Sequence, residues 1–166
     1  MREWHEFYTL AGTASATLVG LLFVAASVGS GTWSRRAALR VFLSATVVHF
    51  SSVLLVSLCV MAPLPGGMAF GGVIAAVGLV GLAYCALVLR DTIRDGLSAN
   101  IDWEDRIWYA ALPIVGYLAM SGAGVALALA VDRSELAVAA SITVLLVAGI
   151  RNAWDITIWL VTRQKD

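Results

Sequence analysis

The sequence predicts an all-α protein that crosses a membrane several times, folded as one domain over residues 1–166. First, 60% of the residues are hydrophobic and 13% are charged, with a mean hydropathy of +0.88. Soluble domains average about 45–50% apolar and about 25% charged residues. Second, apolar runs of spanning length recur along the chain. Because a bilayer requires backbone hydrogen bonds within each segment, these runs are predicted to be helices.

We predict five transmembrane helices, at approximately residues 7–29, 39–62, 68–89, 107–131 and 136–161. The chain before the first helix lacks the basic region of a signal peptide, and its apolar run is too long for one, so we expect the helix to be retained. Gly12, Ala16 and Gly20 recur in it every four residues. In lipid, such small residues mark faces where helices pack closely. This face is predicted to pack within the chain or between copies.

The second and third helices are joined by a short uncharged turn at residues 63–67, which predicts a tight antiparallel hairpin. The second helix contains His49, the only histidine inside an apolar run. The third helix is rich in glycine, with Gly71, Ala75 and Gly78 as small residues near one face. We predict that they form a groove for helix packing or for contact with another copy.

Carboxylates in the longest connection, residues 90–106, resemble a cation site, but arginines lie beside them and the EF-hand spacing is absent. These carboxylates are Asp102, Glu104 and Asp105. We therefore predict a self-neutralising loop with no metal and no cofactor.

Cys59 and Cys85 are predicted near opposite ends of their helices, so we expect packing roles and no disulfide. With zero net charge and no basic tract, the sequence predicts no nucleic-acid partner.

The distribution of basic residues predicts an outside N-terminus and an inside C-terminus. Cytoplasmic flanks of membrane helices carry an excess of Lys and Arg. With this orientation, only Arg2 and Arg133 lie on the outer side. The inner flanks then hold Arg35, Arg36, Arg40, Arg90, Arg94, Arg106, Arg163 and Lys165.

The fifth helix carries Arg151, Asn152 and Asp155 within its apolar run. Charges within a membrane helix cost about 2.5–3.5 kcal/mol each on insertion scales, so they normally face protein or a water-filled cavity. Arg151 and Asp155 are four residues apart and are predicted to pair on one helix face. At about 1.5 Å per residue, His49 falls at nearly the same depth as Arg151. We predict one buried polar cluster, formed by His49, Arg151, Asn152 and Asp155 with Thr13 or Thr17.

Three interpretations of this cluster stay open. It fixes helix register or joins protomers, it lines a path for protons, ions or a small anion, or it is catalytic. Catalysis is the least favoured, because the sequence has no GxSxG or HExxH motif and no paired carboxylates with catalytic spacing. We therefore predict no catalytic residues and no enzymatic activity.

The first helix has an aromatic and acidic start at residues 4–8, a small-residue run at 12–16 and the sequence GLLFVA at 20–25. In these features it resembles the opening of a group of small, uncharacterised bacterial membrane proteins. The composition is similar to that of actinobacterial, including mycobacterial, members. The resemblance implies a multi-pass protein of the bacterial inner membrane and lends no mechanism.

From these patterns we expect a structural or interaction protein that assembles with itself in the bilayer around buried polar contacts. Membrane lipids are its expected partners, and a homotrimer is the expected assembly, because small-faced helices pack well around a threefold axis. The alternative function is a transporter or channel for a small ion or solute, using His49, Arg151 and Asp155.

Overall fold

The protein is a bundle of five helices in the computed structural model, which describes residues 4–29, 36–62, 67–94 and 103–163. These residues contain no strand, and the predicted all-α polytopic bundle is confirmed. The helix that we label α4 is continuous through three parts, which are an α-helical turn at Trp103–Arg106, a π-helical turn at Ile107–Ala111 and a long α-helical part at Leu112–Ala128. The other helices are α1 at His5–Gly29, α2 at Arg36–Met61, α3 at Gly67–Arg94 and α5 at Ser134–Arg163.

Four of the helices contain stretches that are long and apolar enough to cross a membrane. These stretches are His5–Ser27 in α1, Gly67–Arg94 in α3, Ile107–Ala128 in α4 and Ser134–Asp155 in α5. In α2 the side chains are described from Ala45 onward, and the apolar stretch among them is Ala45–Met61. The chain is therefore a multi-pass membrane protein by the length and composition of its helices. Crossing by α2 and the orientation of the termini stay predictions.

The helices α2 and α5 lie at the centre of the packing. The helix α5 contacts α4, α2 and, over a small area, α1, whereas α2 contacts α1, α5 and α3. The most extensive interface joins α3 to α4. Thus α2, α3, α4 and α5 form a four-helix group, and α1 packs beside it, mainly against α2. The core between them consists of Tyr8, Ala11, Val53, Val56, Ile74, Tyr117, Met120, Ala123, Val138, Ile142 and Leu145.

The turn between α4 and α5 ends α4 three residues before its predicted end. Ala130 has a φ of 54° and Arg133 a φ of 62°, which is the left-handed region that few residues other than glycine adopt. The N–H of Val131 donates to the carbonyl of Ala126 at 2.9 Å, and the N–H of Ala130 donates to that of Leu127 at 3.1 Å. This pattern is a Schellman-type cap, which satisfies the last carbonyls of the helix. It reverses the chain in the few residues before Ser134.

Glycines set the close approach of α3 to α4. A methyl group on Gly71 would lie 2.5 Å from the carbonyl oxygen of Gly124, and one on Gly78 would lie 2.7 Å from the backbone nitrogen of Ser121. The backbone of Ala75 meets Gly124 in the same way. The small residues of α3 therefore pack against a helix of the same chain, which is one of the two roles predicted for them.

The small residues of α1 divide between two faces. Gly12 packs against α2, since a methyl group on it would lie 3.0 Å from the Cβ of Ser57. Ala16 is exposed, and a methyl group on Gly20 would meet nothing within 4 Å. The prediction that Ala16 and Gly20 pack against a helix of the same chain is therefore wrong. Their other predicted role, contact between copies, stays a prediction.

Candidate functional site

The centre of the bundle holds a hydrogen-bonded network around His49, whose side chain is 1% exposed. The Nδ1 atom of His49 lies 3.0 Å from the hydroxyl oxygen of Tyr117. That oxygen lies 3.1 Å from the Oγ atom of Ser52, and the Ser52 hydroxyl donates to the carbonyl of Val48 at 2.8 Å. The network therefore joins α2 to α4 across the core.

Local sequence places each member of this network. His49 and Ser52 are three residues apart in α2, so they share one helix face. Tyr117 is fully buried, and its ring lies directly on Gly81 of α3, where a methyl group would be 2.5 Å from the ring Cζ atom. Tyr117 of α4 thus contacts both α2 and α3. The sequence prediction missed it, because no pattern in α4 distinguishes a central tyrosine from an interfacial one.

The ion pair predicted in α5 is present. The Nη1 atom of Arg151 lies 2.6 Å from the Oδ1 atom of Asp155, and the two side chains are 40% and 25% exposed. The guanidinium carbon of Arg151 lies 5.9 Å from the ring centroid of Trp108 in the π-helical turn of α4, within the usual range of a cation–π contact. The pair therefore lies at the edge of the bundle, between α5 and the start of α4.

Asn152 faces the other way, into the core. Its side chain is fully buried, and neither its amide nitrogen nor its amide oxygen has a hydrogen-bond partner among the residues that the structure describes. The Nε2 atom of His49 is buried without a described partner in the same way. Buried polar groups are nearly always hydrogen-bonded in native proteins. These atoms are therefore candidates for contact with a small bound molecule.

The structure brings together only part of the predicted cluster. Gly149 of α5 packs against the ring of Phe50, since a methyl group on it would lie 2.6 Å from the Cε1 atom of that ring. This contact places His49 within about one turn of Arg151 in depth. However, no hydrogen bond in the described part of the chain joins His49 to Arg151, Asn152 or Asp155. His49 and Asn152 face the core, whereas Arg151 and Asp155 lie at its edge.

The two threonines proposed for the cluster lie outside it, so this part of the prediction is wrong. Thr13 and Thr17 are both exposed, and the hydroxyl of Thr17 donates to the carbonyl of Thr13 at 2.9 Å. The reason is the rotation of α1, which packs on α2 through Gly12. The side chain that α1 buries at this level is Ser15.

No group of three or more His, Cys, Asp or Glu side chains is placed to hold a metal ion in the part of the chain that the structure describes. Asp102 lies outside the described residues, as do the side chains of Glu104 and Asp105. Cys59 and Cys85 are free thiols, each half-buried.

Replacing Asp155 with asparagine is expected to lower the free energy of unfolding by about 1–3 kcal/mol, the usual cost of leaving a charged partner unpaired. Arg151 then retains only its contact with Trp108. Thr157→Val is the matched control, because the Thr157 hydroxyl bonds only within its helix, to the Ala153 carbonyl at 2.8 Å. Unfolding in mixed micelles measures both variants. Equal stability of Asp155→Asn and the parent would show that the pair contributes nothing.

Comparisons of the chain with protein-family models, with curated proteins and with solved structures find no match. The resemblance of α1 to small bacterial membrane proteins therefore stays a prediction. Two features of the molecule bear on function, the polar core around His49 and Asn152 and the exposed small residues of α1.

Proposed function

We propose that this chain is an interaction protein of the bacterial inner membrane, which assembles with copies of itself through α1. The observation that carries the proposal is a face of α1 that no other described helix covers. We call it the open face of α1. Its side chains are small and exposed, and they lie within about a third of the helix circumference. They are Thr13, Ala16, Thr17 and Gly20.

The open face is suited to close contact with another helix. The hydroxyl of Thr17 donates to the carbonyl of Thr13 at 2.9 Å, so it already has an acceptor in its own helix. Small residues let two backbones approach closely in lipid, where helix association depends on packing. Three copies around a threefold axis, with outside N-termini, is the assembly that we propose.

The polar core supports this function by fixing the shape of each copy. The network of His49, Tyr117 and Ser52 joins α2 to α4, and Tyr117 also packs on α3. Arg151 is neutralised by Asp155 within one helix. These contacts hold the four-helix group in one arrangement, and α1 packs on that group with its open face outward.

Cysteine cross-linking in membranes tests the assembly. In a background with Cys59→Ala and Cys85→Ala, we expect Ala16→Cys to give cross-linked dimers on oxidation, because Ala16 lies on the open face. Ser15→Cys is the buried control on the same helix, and Val80→Cys is a 69% exposed control on α3. We expect no cross-link from either control. Equal cross-linking of Ala16→Cys and Val80→Cys would indicate random collision and overturn the proposal.

A second candidate function, passage of a small ion or solute, is favoured by the unpartnered buried atoms of His49 and Asn152. An unsatisfied buried polar group costs about 1–3 kcal/mol, and a passing solute that bonds to it relieves that cost. Flux into proteoliposomes is the test, with His49→Ala and Asp155→Asn as variants and Ser141→Ala as the control. Flux lost only in the two variants would favour passage. The absence of flux, together with assembly of the parent, would leave the interaction protein as the function.

A further inference from the structure

The ion pair of Arg151 with Asp155 uses only part of the hydrogen-bonding capacity of the two side chains. A guanidinium carries N–H donors on three nitrogens, and a carboxylate accepts at both oxygens. Within the described part of the chain, the 2.6 Å bond from Nη1 to Oδ1 is the only hydrogen bond of either side chain. Arg151 is 40% exposed and Asp155 is 25% exposed. The pair therefore presents both donors and acceptors at the outside of the bundle.

The contact of Arg151 with Trp108 locates the pair near one surface of the bilayer. The guanidinium carbon lies 5.9 Å from the centroid of the Trp108 ring, in the π-helical turn Ile107–Ala111. The three residues before that turn, 104–106, are all charged. Trp154, close to Arg151 in α5, is 60% exposed, and tryptophan is enriched at membrane surfaces. Arg151 therefore lies within about one helical turn of the headgroup region in depth.

The surface beside the pair is apolar on the side of the bilayer centre. The short turn before Ser134 makes α5 antiparallel to α4, so Val147 lies nearer the centre than Arg151. Val147 precedes Arg151 by four residues, which places both on one face of α5. It is 46% exposed, as is Ile150. A molecule bound at the pair thus meets apolar side chains towards the bilayer centre and polar groups towards the surface, as a phospholipid does.

We propose that Arg151, Asp155 and Trp108 form a binding site for one phospholipid whose headgroup carries a phosphate and a primary ammonium group, as in phosphatidylethanolamine. The remaining N–H groups of Arg151 donate to phosphate oxygens, whose geometry suits a guanidinium. The remaining acceptor positions of Asp155 accept from the ammonium group. The ring of Trp108 holds the guanidinium in place by a cation–π contact. Such π-helical turns are frequent at functional sites, which agrees with this role.

The zero net charge of the pair favours a headgroup that also has zero net charge. An anionic headgroup would be repelled by Asp155 as well as attracted by Arg151. Phosphatidylcholine carries the same phosphate, but its quaternary ammonium group has no N–H to donate to Asp155. The site lies on α4 and α5 of one chain, so it goes beyond self-assembly through α1 and does not depend on it.

Native mass spectrometry of the full chain with added lipids tests the site. We expect the parent to bind phosphatidylethanolamine about tenfold more tightly than phosphatidylcholine, the effect of one charge-assisted hydrogen bond. Phosphatidylethanolamines that carry one and two N-methyl groups complete a series in which the N–H donors are removed singly. Affinity is expected to fall along this series, which leaves the protein itself unchanged.

Two variants and a control identify the residues that bind the headgroup. Arg151→Gln is expected to abolish the difference between the lipids. Asp155→Asn is expected to reverse the preference in favour of the anionic phosphatidylglycerol, because Arg151 is then no longer neutralised. Arg90→Gln removes an exposed arginine near the end of α3 and should retain the preference of the parent.

Three results would overturn the proposal. They are equal binding of the lipids along the methylated series, tighter binding of phosphatidylglycerol by the parent, and an unchanged preference in Arg151→Gln. The series decides the question even if Asp155→Asn does not fold. A lipid preference in a protein that is monomeric in lipid would support the site and contradict self-assembly. A trimer that shows no lipid preference would do the opposite.

Discussion

Replacing Gly71 with alanine is expected to lower the free energy of unfolding by about 3 kcal/mol, at the upper end of the usual cost of overpacking. The added methyl group would lie 2.5 Å from the carbonyl oxygen of Gly124 and 2.8 Å from the Cα atom of Ala128. Both are backbone atoms of α4, which cannot move aside as a flexible side chain can. The two helices would have to separate along the most extensive interface of the bundle.

Gly72 provides the matched control, because it is the next residue of α3 and a methyl group there would meet nothing within 4 Å. Alanine is favoured over glycine in a helix by about 0.8–1.0 kcal/mol in water, so Gly72→Ala should be neutral or stabilising. Gly122→Ala serves as the same control in α4, since Gly122 also faces open space. Reversible unfolding in mixed micelles compares the variants. If Gly71→Ala were as stable as Gly72→Ala, the packing of α3 on α4 would be wrong.

Replacing Tyr117 with alanine is expected to cost about 3–5 kcal/mol, as for other large aromatic side chains removed from a core. The ring fills the space beside Gly81, and its hydroxyl holds both His49 and Ser52. Tyr117→Phe keeps the ring and removes only the hydroxyl. We expect it to cost about 1–3 kcal/mol, because the Nδ1 atom of His49 then loses its hydrogen-bond partner in the core.

Ser121→Ala is the control for Tyr117→Phe, because it removes a hydroxyl one turn further along α4. The Ser121 hydroxyl bonds only to the Tyr117 carbonyl within its own helix, at 2.9 Å. Such bonds add little to stability, so the variant should match the parent. Unfolding measurements of the parent and all three variants separate the ring from its hydroxyl. Full stability of Tyr117→Phe would show that the network does not hold the core together.

Composition and hydropathy were sufficient to predict the helical bundle, because a bilayer permits so few backbone structures. The pairing of Arg151 with Asp155 was also predictable, since it depends only on spacing within one helix. The depth of His49 followed from counting residues from the helix ends. The contact of Phe50 with Gly149 places it within about one turn of the expected level.

The rotation of each helix about its axis could not be predicted in the same way. The sequence predicted that Thr13 or Thr17 joins the polar cluster, but the structure turns both threonines outward and buries Ser15. Depth alone therefore suggested partners for His49 that the structure does not show. Its observed partner, Tyr117, is on a helix that no polar pattern linked to α2. Only the packing of α3, which brings Gly81 against the ring, explains that position.

Counting subunits in lipid tests the central claim, self-assembly through α1, most directly. Single-molecule photobleaching of labelled protein at low density in a bilayer is expected to show three bleaching steps for the parent. Ala16→Leu, which places a large side chain on the open face, should shift the distribution towards one step, whereas Val80→Leu on α3 should not. A single step for the parent at every density would contradict the account.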